Sequence, residues 1–427
     1  MILLRLSQIF LLTLPFQVAL SPIPGIDLSG ARIFALSLFL FWLTTGLFRK
    51  KLFIPTSFDA LLLVSFVFLS CVSFLWAENA EWAVRRATFF LSFSPLFLVF
   101  SALVREFGKR AISALLRSFV LGAAVAAFVG IIQSVSQLFF GPGPVFRFWV
   151  EHVIPAFLGG SFASSVAEYP SLLANIGGAT VLRATAFFPD PHMFAFYMGL
   201  ALPIAFGFAL LSDTTHEKIF FFSAFFLIAM ADLLSFSRGG YVGLGFGAVL
   251  AGAMTLRQVK GTRSLLFVAG ISFALLALLF VDNPIKQRLF SSFSLEDGSN
   301  QGRVAIWEEA VEDISERPLL GYGIGNYPLA VKPTAEYREP IYAHNLFLDI
   351  ASETGVLGGA LFFIAFFTVF WKFLKNRSVL FSASAISLAI FFGHALFELP
   401  LYSVHILPVL LLFLSLPGFV NESEKKL

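Results

Sequence analysis

Apolar residues run along this chain in long blocks, interrupted by short polar connections. A helix that crosses a bilayer needs about 20 mostly apolar residues. Blocks of that kind lie at roughly 3–21, 31–48, 58–76, 87–104, 111–139, 192–211, 218–236, 240–256, 264–281, 345–371, 378–397 and 402–419. The pattern predicts an all-α polytopic membrane protein of about 12 transmembrane helices, forming a single integral membrane domain over 1–427. The first block, behind Arg5, has the look of a signal peptide, but the following "SPIPGIDLSG" lacks a small-x-small cleavage site, so it is expected to remain as an uncleaved first helix.

Every second connection is basic, starting after the second block: "RKK" (49–51), "REFGKR" (105–110), "HEK" (216–218), "RQVKGTR" (257–263), "KFLKNR" (372–377) and the tail "EKKL". The positive-inside rule assigns these connections, and with them both termini, to the cytoplasm. The opposite side holds two long connections, 141–192 and 282–343, the latter between helices 9 and 10. Connections of such length are uncommon unless they are functional. "RVAIWEEAVEDI" (303–314) has its apolar positions mostly on one helical face, so a helical cap is expected there.

Composition agrees. Hydrophobic residues make up 58% of the chain and charged residues 13%, against about 25% charged in a soluble protein. The single cysteine, Cys71, rules out an intramolecular disulfide. The net charge of +3 is small, and no nucleic-acid partner is expected. Arginine and lysine divide unevenly: 8 Arg and 9 Lys on the expected cytoplasmic side, 10 Arg and 2 Lys on the other. Topology is served by either residue, whereas the planar guanidinium binds phosphate oxygens in pairs. The bias suggests an oxyanion ligand on the outer face, although for any single arginine a loop carboxylate or a lipid headgroup is the simpler partner.

Several constellations carry chemistry. In "LLSFSRGGYVGLGFG" (233–247) Arg238 interrupts apolar sequence at membrane depth, where an ionisable group marks function by default. Gly239 and Gly240 would allow a tight turn and close approach of a ligand. Arg303 is placed at the start of the cap helix, where an anion would be welcome. "ERPLLGYGIGNYPL" (316–329), with Tyr322 and Asn326, reads as a structural turn shaping the cap, since no P-loop lysine follows. Arg183, Asp190 and His192 precede the sixth helix. A metal site there lacks a second ligand cluster, so no metal and no cofactor is expected. In "YAHNLFLDIASETGVLGG" (342–359), Asn345, Asp349, Ser352 and Glu353 share a helical stripe. His344 stands one residue before it. Its ordinary pKa suits it to take a proton from an attacking hydroxyl.

"SRGG" (237–240), "GRVAIWEEA…PLLGYGIGNY" (302–327), "HNLFLDIASETGVLGG" (344–359) and "R-x-T-x-F-x-P" (183–189) together resemble the O-antigen ligase / O-antigen polymerase superfamily of bacterial envelope glycosyltransferases. Asp190 departs from that pattern, in which Asn usually follows the proline. The resemblance implies a multi-pass protein of the bacterial inner membrane with a periplasmic active site. Such enzymes move a glycan from undecaprenyl pyrophosphate to a hydroxyl acceptor, which is lipid A-core for a ligase, a glycan repeat for a polymerase, or a protein Ser/Thr. By motif match, Arg238 and Arg303 would hold the pyrophosphate and His344 would be the base. Arg183, Asn345, Asp349, Glu353, Tyr322 and Asn326 are the candidates for contacting substrate. The resemblance implies metal-independent transfer, and a single inverting displacement is expected, because no nucleophile paired with a base is visible. A secondary transporter of a small anion is the rival from another class. It would place its polar residues at the bilayer midplane, whereas here they crowd the outer edge.

Overall fold

The computed structural model describes residues 1–23, 26–168, 171–258, 286–288, 298–337, 339 and 341–419. The chain opens with α1 (Ile2–Thr13), a hairpin of β1 (Ala19–Ile23) and β2 (Ile26–Ser29), then α2 (Gly30–Phe48), α3 (Phe58–Val72), α4 (Ala80–Phe93), α5 (Leu96–Phe107) and α6 (Lys109–Phe140). The first long connection holds α7 (Pro142–Phe148), α8 (Ile154–Leu158), α9 (Gly160–Glu168) and an antiparallel hairpin of β3 (Leu173–Ile176) and β4 (Ala179–Leu182). Next come α10 (Pro191–Leu211), α11 (Thr215–Leu234) and α12 (Arg238–Gln258), the cap helices α13 (Gly298–Glu316) and α14 (Tyr327–Val331), and finally α15 (Leu346–Lys375), α16 (Val379–Ala395) and α17 (Ile406–Ser415).

A helix lies in each predicted apolar block except 264–281, which falls outside the described residues together with 282–285 and 289–297 of the cap connection. Among the described residues, six helical stretches are long and apolar enough to cross a membrane. The protein is a mostly helical membrane protein. The block at 3–21 departs from expectation. Its helix gives way at Thr13 to one tight turn containing Pro15, and the chain then extends into β1. The block at 87–104 begins earlier, at Ala80, because Asn79 caps α4 by accepting from Trp82 N at 3.1 Å. Ser94 and Pro95 join it to α5.

Helix ends meet in matched sets. Lys372 Nζ near the end of α15 donates to Asp59 Oδ1 at the start of α3 at 2.6 Å, and Arg117 reaches Glu217 at 3.1 Å. Each pair joins ends expected on the cytoplasmic side. At the other ends Arg317 pairs with Glu78, and Asn326 Oδ1 accepts from Asn79 N at 2.7 Å.

At the centre stands α10, apolar and buried on nearly all sides between α6, α11, α12 and α16, as a helix without a polar face must be. It is stacked on α11 and α16, and α12 is laid against α16 by glycines. A Cβ on Gly239 would come within 2.6 Å of His394 Cδ2, and one on Gly243 within 2.5 Å of the Ile390 carbonyl oxygen. Small residues let helix backbones approach in this way. Gly239 therefore serves helix packing, and a Cβ on Gly240 would come within 3.1 Å of Ala195 Cβ on α10.

The cap is anchored through a break in α15. Gly355 has φ 68° and ψ 178°, which frees the carbonyls before it. Tyr322 N donates to Ser352 O and Gly323 N to Glu353 O, both at 2.9 Å, while Val356 N donates to Pro318 O at 2.8 Å. The segment 318–326 thus satisfies backbone groups that a broken helix would leave orphaned in an apolar bundle. It sits in positive φ at Gly321, Gly323 and Gly325, and a Cβ on Gly321 would strike Ser352 O. "GYGIGNY" is a plug for a helix break, in keeping with the expected structural turn.

Candidate functional site

The site is built outward from His344. Asn345 caps α15, its Oδ1 accepting from Phe347 N at 2.9 Å and Leu348 N at 3.3 Å. One turn on, Asp349 reaches back. Its Oδ1 accepts from Ala343 N at 3.2 Å and its Oδ2 from Asn345 N at 3.4 Å. These two amides flank His344, whose backbone is left-handed at φ 49°. A residue other than glycine holds that conformation at a cost of about 1–3 kcal/mol, which its surroundings must offset. Asn345 and Asp349, expected to contact substrate, spend these oxygens on shaping the histidine turn.

The turn aims the His344 imidazole at Glu398, in the link between α16 and α17. His344 Nδ1 donates to Glu398 Oε2 at 3.2 Å. A carboxylate only accepts, so the proton rests on Nδ1 and Nε2 keeps its lone pair. The hydrogen bond to Glu398 raises the histidine pKa above its ordinary 6.5, outweighing burial, which lowers it. The other oxygen, Oε1, lies 3.5 Å from His192 Nε2 and 3.6 Å from the Arg303 guanidinium. Burial pushes the Glu398 carboxyl up, but His192, the His344 hydrogen bond and Arg303 outweigh it and hold it at about 2.

Arg303 comes from α13. This helix turns residues 303, 306, 307, 310, 313 and 314 inward and leaves Val304 and Val311 exposed, the spacing of an amphipathic helix. It begins at Gly298, earlier than expected, so Arg303 stands in its second turn. The expected role for the helix N-terminus does not apply to it. Its guanidinium also lies 5.9 Å from the centre of the Phe397 ring.

Behind Glu398 a chain of polar groups leads into the bundle. His192 Nδ1 is 2.8 Å from Ser237 Oγ, and Ser237 Oγ is 3.2 Å from His394 Nε2. The His394 ring is stacked on Phe196 with centroids 3.6 Å apart. Arg238 follows Ser237 directly, opens α12 and is buried. Arg183 fastens the same corner. Its Nε donates to Ser235 O at 2.9 Å and its other nitrogens to Ser171 O and Phe236 O at 3.2 and 3.4 Å, and it comes within 3.5 Å of His192. Burial, and then Arg288, hold its pKa down at about 10. Asp190 caps α10 by accepting from His192 N and Met193 N at 2.8 and 2.9 Å. Burial, partly offset by those bonds, raises its carboxyl to about 6.

Three expected substrate contacts lie instead in the cap anchor. The Tyr322 hydroxyl donates to Glu316 Oε2 at 2.6 Å. Asn326 is fully buried, its amide spanning Asn79 and Ile324. Glu353 accepts from the Tyr402 hydroxyl and is buried beneath the plug. The structure gathers His344, Arg303 and Arg183 around Glu398 and His192, buries Arg238 next in sequence to Ser237, which contacts His192, and sets Tyr322, Asn326 and Glu353 to work elsewhere.

Glu398 was not singled out from sequence. The available signal was a lone carboxylate in "HALFELPLY", where an apolar run breaks before Pro400. His192 reads from sequence only as a member of a metal site without a second ligand cluster.

Comparison with known proteins places these residues. Residues 223–363 match the O-Antigen ligase family model. A protein of Rickettsia conorii named as a polysaccharide ligase is 24% identical over 299 residues, which is 66% of each chain. A ComP-specific O-oligosaccharyltransferase of Acinetobacter baylyi is 29% identical over 130 residues, 28% of this chain and 23% of its own. The chain thus spans just under two thirds of the length of the first relative and less than a quarter of the second. Arg238, Arg303 and His344 fall inside the family match; Glu398, His192 and Arg183 fall outside it.

Proposed function

We propose that this chain, which carries an O-antigen ligase domain, transfers a glycan from undecaprenyl pyrophosphate to a hydroxyl acceptor at the periplasmic face of a bacterial inner membrane. The observation that carries the reading is the His344–Glu398 pair, with Arg303 on the same carboxylate.

An acceptor hydroxyl seated at Nε2 of His344 gives up its proton there as its oxygen attacks the anomeric carbon. The bond from that carbon to the pyrophosphate oxygen breaks, and the carrier pyrophosphate leaves with the electron pair. Glu398, held ionised, stabilises the imidazolium that forms. Arg303, and by motif match Arg238, meet the charge that develops on the leaving group. Prepositioned cations in a water-poor site are most effective at that moment. One displacement inverts the anomeric carbon. The lipid-borne donor explains why the base sits at the mouth of a helix bundle.

Lipid A-core is the proposed acceptor. The Rickettsia relative's name as a polysaccharide ligase supports a saccharide acceptor, and the Acinetobacter relative's name supports a protein hydroxyl as the second reading. The experiment is to reconstitute the purified protein in liposomes with a lipid-linked glycan and offer each acceptor in turn. Transfer to lipid A-core alone supports the ligase reading, and transfer to protein alone the second. Extension of the lipid-linked glycan itself would mark a polymerase. Failure to transfer to any hydroxyl, with uptake of a small anion instead, would overturn glycan transfer altogether.

A further inference from the structure

Trp307 shares the inward face of α13 with Arg303, one turn further on. Its indole Nε1 donates to the carbonyl oxygen of Ala343 at 3.0 Å. The ring rests, tilted, against Phe397, with centroids 6.1 Å apart. Ala343 is fully buried and immediately precedes the left-handed His344. Three peptide groups around the histidine are therefore tied. Asp349 of α15 holds the amides of Ala343 and Asn345, and Trp307 of the cap helix holds the Ala343 carbonyl.

We propose that Trp307 is a positioning residue that sets the His344 turn from the cap, so that the helix presenting Arg303 to the leaving group also places the base. The proposal rests on the glycan-transfer reading for its consequence in turnover, but its geometry stands apart from it. Asp349 ties the turn only to its own helix. Without the indole bond, the Ala343–His344 peptide is free to rotate toward an unstrained conformation. The imidazole then swings off Glu398, and its placement no longer follows α13. The charged and titratable groups facing His344 are Glu398 from the α16–α17 link, Arg303 from α13, Asp349 from α15 and His192 from α10.

Trp307→Phe keeps a ring against Phe397 and removes the N–H. Trp307→3-benzothienylalanine keeps the full shape and removes only the N–H, which separates the bond from packing if the phenylalanine variant fails to fold. Two readouts are taken on the full-length protein in liposomes. The first is transfer, where a lost hydrogen bond is expected to lower kcat about tenfold with donor KM little changed. The second is the pH midpoint of His344 carbethoxylation by diethylpyrocarbonate, read by peptide mass spectrometry. In both Trp307 variants it is expected to fall toward 6.5, and to stay in place in Val304→Ala, which alters an exposed position on the same helix. An unchanged midpoint in the benzothienyl variant overturns the proposal, whatever happens to the rate. A midpoint that moves in a protein showing no glycan transfer upholds the positioning role and removes the glycan-transfer reading.

Discussion

Glu398 meets His344 from 54 positions further along the chain, with Oε2 3.2 Å from Nδ1. That contact fixes the tautomer and leaves Nε2 as the nitrogen able to receive a proton. Glu398→Gln keeps the side-chain length but offers no charge to offset an imidazolium, and its amide nitrogen can face Nδ1 as readily as its oxygen. Transfer by this variant is expected to fall by roughly a hundredfold or more, mainly in kcat, while Glu398→Asp recovers part of it. Steady-state kinetics with a lipid-linked donor provide the check. A wild-type kcat in Glu398→Gln would dismiss the pair as a catalytic unit.

The same pair sets a pH dependence. His344 must be neutral to act as base, and its pKa lies above 6.5, first because of the hydrogen bond to Glu398. Activity should therefore decline as pH falls, with an apparent midpoint above 6.5 that moves lower in Glu398→Gln. Stability runs the opposite way. A histidine whose folded pKa is raised adds stability that is fully present below its unfolded pKa and is lost as pH rises through the folded one. Parallel rate and thermal-melting profiles across neutral pH would separate the two. An acid limb unmoved by Glu398→Gln would mean that another group titrates.

Arg303 lies 3.6 Å from the Glu398 carboxylate, and in the proposed reaction it meets the leaving pyrophosphate. Arg303→Ala removes a cation from a water-poor site, for which a loss of roughly 10²-fold or more in kcat is expected. Arg303→Lys keeps the charge and loses the fork. If two phosphate oxygens are gripped together, the lysine variant should remain well below wild type with the lipid-linked donor. Full activity in Arg303→Lys would show that a point charge is enough.

Much of this was legible in the sequence, and the rest was hidden for identifiable reasons. The apolar blocks had to be visible, because a bilayer admits only backbone that satisfies itself. The periodicity of α13 points to Ile306, Trp307, Ala310 and Ile314 of its inward face but also to Val304 and Val311, which are exposed, and His344 stands out as a titratable group at a membrane entry. Glu398 did not, because its significance lies in a contact across 54 residues that no spacing rule encodes. The stop of α1 before Pro15 was masked by apolar residues that simply continue as β1. The break at Gly355 was masked in the same way inside "ETGVLGG". A helix tolerates that break only because a distant glycine loop supplies donors for Ser352 and Glu353. The stripe from Asn345 to Glu353 is polar in the sequence, yet only three dimensions divide it: Asp349 shapes the histidine turn and Glu353 holds the cap anchor.

Sidedness can be tested with thiol chemistry. The chain has one cysteine, Cys71, so a Cys71→Ser background accepts single reporters. Lys50→Cys lies in a connection expected in the cytoplasm, and Val304→Cys on the exposed face of the cap helix. In cells with a permeabilised outer membrane and an intact inner membrane, an impermeant maleimide is expected to label position 304 and leave position 50 unlabelled until the inner membrane is lysed. Labelling of position 50 first would invert the topology and put the candidate site in the cytoplasm.

The cap anchor makes the last prediction. Gly321 has φ 65°, and a Cβ there would strike the Ser352 carbonyl oxygen. That oxygen already accepts from Tyr322 N, one of the bonds that repair the α15 break. Gly321→Ala therefore pays twice, through left-handed strain of about 1–2 kcal/mol and through displacement of the plug from the helix break. Thermal stability in detergent should drop by several degrees. Transfer should drop too, since α13, with Arg303 and Trp307, leads directly into this segment. Gly143→Ala is the control, because a Cβ there meets nothing within 4 Å. If Gly321→Ala melts like the control, the plug does not hold the cap, and the link from helix break to the His344 turn must run through Asp349 alone.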